Sequence, residues 1–239
     1  MANPFLIGAV FLLAGFVQGM SGFGAALVAI PLLTLLIDIK VGVPLCILNS
    51  IVITTFLTLR LKKHLDRERI LPLCLAAIPG VGLGTLLLKH AASASIQTAM
   101  GVLLCSYCIY SLFVRPGPQN LHRIWGYVAG FLTGAISAAF STGGPPTIIY
   151  TALTGWKKDE IKATLTGFFL FNSCLTATVH VIGGITTVEV LGYFLITAPL
   201  TLLGTLFGSL YYDRISRQSY LTLIFTFLFL MGMMMIITA

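Results

Sequence analysis

In a chain of 239 residues, 57% hydrophobic and only 9% charged, with a mean hydropathy of +1.00, there is too little polar side chain to cover a soluble globule, which carries roughly 25% charged residues. The same shortage excludes disorder. Fourteen Lys+Arg against seven Asp+Glu, a net charge of +7, fits the basic cytoplasmic loops of an integral membrane protein better than nucleic-acid binding.

The chain opens Met1-Ala2-Asn3-Pro4 without a basic residue, so the first apolar stretch is not read as a cleaved signal. About 20 apolar residues cross a hydrocarbon core of about 30 Å. The stretch 4–37 is too long for one crossing, and Gln18-Gly19-Met20-Ser21-Gly22-Phe23-Gly24 interrupts it, with Pro31 beyond. Glycine and proline weaken a helix, so this stretch is predicted to be helix–break–helix. Spans follow at 41–60, 70–88 and 95–114. The stretch 123–155 is again too long and again broken, here by Ser137-Ala138-Ala139-Phe140-Ser141-Thr142-Gly143-Gly144-Pro145-Pro146. Spans at 162–182, 189–210 and 219–238 complete the chain. All five cysteines lie in apolar segments, and Cys105 and Cys108, despite their C-x-x-C spacing, are assigned to packing.

The second half answers the first in order. Gly15-Phe16-x-x-Gly19 and Pro31 match Gly130-Phe131-x-x-Gly134 and Pro146 at an offset of 115. Asn49-Ser50 matches Asn172-Ser173 at 123, and Pro79 with Leu83-Gly84-Thr85-Leu86 matches Pro199 with Leu203-Gly204-Thr205-Leu206 at 120. The series predicts two repeats, 1–117 and 118–239. If 123–155 enters and returns on the side of the most basic loop, twelve of the fourteen basic residues are cytoplasmic and only Lys40 and Lys89 lie outside; a single crossing splits them seven and seven. The positive-inside rule selects the returning hairpin, and 4–37 inherits it by likeness to 123–155. A hairpin plus three crossings is an odd unit. The expected fold class is therefore an all-α integral membrane protein with two inverted-topology repeats, each a helix–break–helix hairpin plus three transmembrane helices. Both termini are expected to be periplasmic.

In hydrocarbon, backbone groups freed by a helix break survive only when buried in protein or lining a polar cavity. Paired breaks in inverted repeats mark the midplane substrate site of secondary transporters. All basic and acidic residues map to loops or helix ends, so the site has no fixed charge. Helix N-termini starting at the breaks would present free N–H groups and a partial positive charge, which suits a small anionic substrate. Ser21, Ser141, Thr142 and Thr147 could add hydroxyl donors, and Asn49 and Asn172 amide donors. Phe23 and Phe140 beside the breaks are candidate gates. His180, the only histidine within a predicted span, is the candidate for proton coupling. The series Gly126, Gly130, Gly134, the cluster Gly80, Gly82, Gly84 and the pair Gly204, Gly208 are assigned to helix packing.

The Gly-Phe-x-x-Gly, Gly22-Phe23-Gly24 and Pro31 of the first half and the Ser-Thr-Gly-Gly-Pro-Pro of the second resemble the sulfite exporter TauE/SafE family of membrane permeases, over nearly the whole chain. The resemblance implies a secondary transporter of a bacterial inner membrane that moves a sulfur-containing oxyanion, such as sulfite or an organosulfonate, coupled to protons or another ion gradient. Carried over by motif position, the tips around Gly22, Phe23, Gly24 and Ser141, Thr142, Gly143, Gly144 form the substrate site, and Asn49 and Asn172 face it. No cofactor or metal is called for, no nucleic acid is expected, and a homo-oligomer is left open. A passive anion channel is the competing reading. An intramembrane enzyme using Ser141 with His180 is a weaker one, because no acidic residue sits in a span to orient the histidine.

Overall fold

The computed structural model describes residues 3–113, 121–210, 217–237 and 239, without the side chains of Ser21, Leu112, Phe113, Lys158, 217–225 and Phe227. The described elements are helical: α1 Pro4–Ser21, α2 Ala25–Leu33, α3 Ile39–Leu61, a 3-10 turn Lys62–His64, α4 Arg67–His90, α5 Ser93–Phe113, α6 Ile124–Phe140, α7 Gly144–Leu153, α8 Lys158–Ile182, α9 Val188–Leu210 and α10 Arg217–Ile237. Five of these segments are long and apolar enough to cross a membrane: Ile39–His64, Arg67–His90, Ser93–Ser111, Asp159–Ile182 and Val188–Leu210.

The breaks follow from local chemistry. Helix α1 starts on the Asn3 side chain, which accepts the Phe5 N–H at 3.0 Å, with Pro4 at its first position. It stops at Gly22, whose φ of +84° turns its N–H back to the Gln18 carbonyl at 2.7 Å. Gly24, at φ +97°, then starts α2. In the second break Ser141 takes the same left-handed role at φ +61°, its N–H on the Ser137 carbonyl at 2.7 Å. Gly143 lies so close to the Thr133 carbonyl and the Ser137 side chain that a Cβ would overlap them. Thr147 of α7 meets Thr133 of α6 with their hydroxyls 2.6 Å apart. The chain has reversed.

Two glycine seams set the directions of the long helices. Gly8, Gly15 and Gly19 of α1 meet Leu200, Thr201 and Thr205 of α9 in rising order, and Gly204 and Gly208 meet the Leu12 and Phe16 backbone in return. Gly80 and Gly84 of α4 rest on Phe131 and Ala135 of α6, while Gly130 and Gly134 rest on Leu73 and Ala77. Each pair is parallel, and the missing side chains let backbones touch. Gly82 departs from its expected packing role, because nothing lies within 4 Å of the Cβ it lacks.

Arg60 donates to Ser209 Oγ at 3.0 Å, so α3 runs with α9. Arg69 pairs with Glu160 at 3.0 Å and Lys89 Nζ donates to the Gly183 carbonyl at 2.9 Å, so α4 runs with α8. Ser93 donates to Asp38 at 3.1 Å, which places the start of α3 beside the end of α4. Helices α1, α3 and α9 thus point one way and α4, α6 and α8 the other. Since α6 and α8 start at one end, the segment between them enters and returns. That end carries Arg60, Lys62, Lys63, Arg67, Arg69, Arg123 and Lys157; Lys40 and Lys89 sit at the opposite end. Arg115 and Arg214 lie outside the described residues.

The largest helix–helix contacts persist when the first five α-helices are exchanged with the last five. The α1–α9 contact maps onto α6–α4 and α3–α9 onto α8–α4, while α3–α8 and α5–α10 map onto themselves. Phe5, Leu59, Leu83, Leu195 and Phe207 are more than half exposed, whereas Thr133, Thr147, Thr176, Thr197 and Thr201 are fully buried. Apolar outside and polar inside is the arrangement that lipid selects, because tails solvate leucine and buried hydroxyls need partners within the protein. The chain is an all-α, multi-pass membrane protein.

Candidate functional site

The two breaks approach each other between α3, α6 and α8 and enclose a partly open cavity of about 510 Å3, a volume that includes its mouth. The first break contributes Gln18, Phe23, Gly24 and the first turn of α2; the second contributes Ser141, Thr142, Gly143 and Gly144. Ser50 and Thr54 of α3, Thr133 and Ser137 of α6, and Phe169, Asn172 and Ser173 of α8 close it. Among the described residues, no charged side chain lines it.

Helices α2 and α7 both begin at this cavity, and neither start is capped by its own N-cap side chain. Their supply of amide hydrogens is unequal. At α2, Gln18 Oε1 accepts the Ala25 N–H at 3.2 Å, and the amides of Ala26 and Leu27, in the first turn, have no intrahelical acceptor. At α7, Pro145 and Pro146 occupy the first turn and have no N–H to give. The second break offers the Ser141 hydroxyl in their place, and α8 beside it brings the Asn172 side-chain amide. Ser141 Oγ is buried without a hydrogen-bond partner, and so is Asn172 Oδ1 on a side chain only 2% exposed. Thr142 is engaged, donating to Met100 Sδ at 3.2 Å, and Thr147 is held by Thr133 inside the hairpin.

Asn49 and Asn172 occupy matching positions in the sequence and meet different surroundings. Asn49 was expected to face the site and does not line the cavity. Its amide donates to the Leu45 carbonyl at 3.0 Å and to Thr197 Oγ1 at 2.9 Å, and its carbonyl accepts from Thr201 Oγ1 at 2.7 Å. It bolts α3 to α9. At the offset of 120 that relates α9 to α4, the residues answering Thr197 and Thr201 are Ala77 and Val81. Helix α4 therefore offers Asn172 no hydroxyl at these two positions, and the buried Asn172 carbonyl oxygen is left without a partner.

Other expected residues also divide. Phe23 and Gly24 line the cavity; Gly22 caps α1 with a Cβ position 3.3 Å from Lys162 Cε, outside the lining. Phe140 is 7% exposed within the apolar core and is not part of the cavity lining. The Ser21 side chain lies outside the described residues. His180 is fully buried on α8 away from the cavity lining, Nε2 at 3.1 Å from the Ala138 carbonyl. A carbonyl only accepts, so Nε2 carries the hydrogen and Nδ1 is left without a partner. Ser141 Oγ and His180 Nδ1 each lack a hydrogen bond, so they do not form the nucleophile–base pair of an enzyme. Gln18, Ser50, Thr54, Thr133, Ser137 and Ser173 were not singled out from the sequence. Ser50 and Ser173 carried a usable signal, since each follows the asparagine of a repeated pair.

Ser141 is the one described non-glycine residue with positive φ, a conformation costing about 1–2 kcal/mol outside glycine. Ser141→Gly is expected to raise thermal stability by about 1 kcal/mol while weakening substrate binding, because strain and hydroxyl leave together. Ser141→Ala is expected to weaken binding without the gain in stability. Melting curves and binding isotherms on both purified variants check this; equal affinity in all three proteins would remove the hydroxyl from the site.

A sequence model of the family described as Sulfite exporter TauE/SafE matches residues 7–235, which takes in both hairpins and all the cavity-lining residues. No curated protein and no solved structure gives a significant match. With two returning hairpins around an uncharged cavity inside an apolar helical body, and that match over nearly the whole chain, the protein belongs to the sulfite exporter TauE/SafE family of membrane transporters.

Proposed function

We propose that the chain is a secondary transporter that carries a small sulfur-containing oxyanion, such as sulfite or an organosulfonate, across a bacterial inner membrane. The observation that carries this reading is the cavity itself: two helix starts converge on a space where amides and hydroxyls alternate with apolar side chains and, among the described residues, no charged side chain lines the wall. Partial positive charge from the helix ends attracts an anion, and the absence of lysine or arginine lets it leave again. In this reading residues 1–117 and 118–239 are inverted repeats, and the opposed directions of α1 and α6 support it. The more basic end faces the cytoplasm, and both termini face the periplasm. The anion sits on Ala26, Leu27, Gly143, Gly144, Ser141 and Asn172, and coupling is to protons, with His180 the side chain that carries them.

Purified protein in proteoliposomes tests this directly. Sulfite, thiosulfate, sulfoacetate and taurine are offered beside matched carboxylates, with fluxes followed against an opposing gradient. Saturable, uphill uptake of at least one sulfur oxyanion and weaker uptake of its carboxylate counterpart are expected. Conductance linear in voltage would identify a channel, and preference for the carboxylates would overturn the substrate class.

A further inference from the structure

From Asn172 in the cavity wall, α8 carries a row of polar side chains that runs on past the cavity lining. Asn172, Thr176 and His180 recur every four residues and so lie on one face of the helix. All three are at most 2% exposed, and Asn172 Oδ1, Thr176 Oγ1 and His180 Nδ1 each lack a protein partner. Ser141 Oγ stands at the cavity end in the same condition, and so does Thr85 Oγ1 of α4, whose Cγ2 lies 3.7 Å from the Cβ position of Gly183 beyond the end of α8.

A buried threonine inside a helix can satisfy itself by turning to the carbonyl four residues back. Thr54, Thr151 and Thr205 do so at 2.6 to 2.9 Å. Thr176 and Thr85 do not. An orphaned buried hydroxyl costs about 1–3 kcal/mol, and a row of them signals water. Residues four apart are about 6 Å apart along the helix axis, the span one water bridges with two hydrogen bonds of about 2.8 Å.

The duplicated half is a built-in control. At the offset of 123 that relates Asn172 to Asn49, the residues answering Thr176 and His180 are Ile53 and Leu57, both buried in the apolar core. Thr205, which answers Thr85, is bonded to the Thr201 carbonyl. One half is dry where the other is polar.

We infer that the Asn172–Thr176–His180 face of α8 holds a file of water that conducts protons between the cavity and the Gly183 end, separate from the path of the anion. A proton arriving through the file binds the lone pair of His180 Nδ1 while Nε2–H stays on the Ala138 carbonyl, and it leaves from the same nitrogen to the next water. Among helices packed against α8, the titratable groups near this end are Lys89 and His90 of α4 and Lys40 of α3; Lys89 is turned to the Gly183 carbonyl. Cys46 of α3 lies deeper. Arg60 of α3, Arg67, Glu68, Arg69 and Cys74 of α4, Tyr127 of α6 and Tyr150 of α7 belong to the other end. No fixed charge sits on the row to trap the proton.

The proposal rests on the transporter reading for its purpose but not for its first test. In full-length protein with the five native cysteines replaced by alanine, Thr176→Cys is expected to react with a water-borne methanethiosulfonate at least tenfold faster than Ile53→Cys, its counterpart in α3. Equal, slow reaction at both would show the row to be dry and overturn the proposal, whatever the substrate. In proteoliposomes, Thr176→Val is expected to keep sulfite–sulfite exchange at equal pH within about twofold while uptake driven by a pH gradient falls at least tenfold. Unchanged pH-driven uptake, accompanied by a higher melting temperature, would mean a dry orphan hydroxyl and no conduit. If the unmodified protein exchanges no sulfur oxyanion, the transporter reading fails, and the labelling result alone decides whether the row holds water.

Discussion

Gly204→Val will leave little folded protein in the membrane. The Cβ that valine brings would run into the Leu12 carbonyl and crowd the Phe16 amide of α1. Both obstacles are backbone, so no rotamer change relieves them, and the α1–α9 seam must open along its length. Overpacking of a rigid site costs about 1–3 kcal/mol and sometimes more; because this seam also carries Gly15, Gly19 and Gly208, the upper end or beyond is expected. Size-exclusion profiles and melting temperatures of detergent-solubilised protein measure it. Gly82→Ala is the matched control: nothing stands within 4 Å, and exchanging glycine for alanine in a helix gains about 1 kcal/mol. If Gly204→Val melts with the unmodified protein, the close approach of α1 and α9 is wrong.

The two asparagines are expected to separate stability from transport. Asn49→Ala removes three buried hydrogen bonds and strands partners on α3 and α9, a loss of about 2–3 kcal/mol at roughly 1 kcal/mol per bond. Any protein that still folds should bind substrate with near-normal affinity. Asn172→Ala removes a group whose carbonyl oxygen has no partner, so stability should hold or rise slightly. Its affinity should fall about tenfold or more, the equivalent of one hydrogen bond from the Asn172 side-chain N–H to a charged ligand at about 1.4 kcal/mol or above. Unfolding curves and substrate binding on both variants give the comparison. The reverse pattern, a stable Asn49→Ala with poor binding and an unstable Asn172→Ala, would place the site in the other half.

This contrast also shows where sequence reasoning loses its grip. The Asn-Ser pairs are equivalent as sequence, and both asparagines sit on helices beside a hairpin. What separates them is the opposite face, Thr197 and Thr201 for one and Ala77 and Val81 for the other. Those residues lie about 100 to 150 positions away, and nothing local says which helix will meet which. The glycines make the same point. Gly80, Gly82 and Gly84 read as one cluster, yet a helix turns about 100° per residue; the two outer members meet α6 and the middle one does not. Phe140 stood next to the break and joined the core, while Gln18, quoted within the first break, had no distinguishing pattern and became part of the cavity wall.

Composition settled that this protein lives in lipid, and apolar stretches of about 20 residues pointed to helices, in which each segment bonds its own backbone. Interruptions in the two long stretches, and the placement of basic residues, pointed to the returning hairpins before any contact was known. The tertiary structure decided which polar groups are satisfied and which are left over. Hydrogen bonds reach only about 3 Å, so the difference between a bolt and a ligand arises only once distant helices touch.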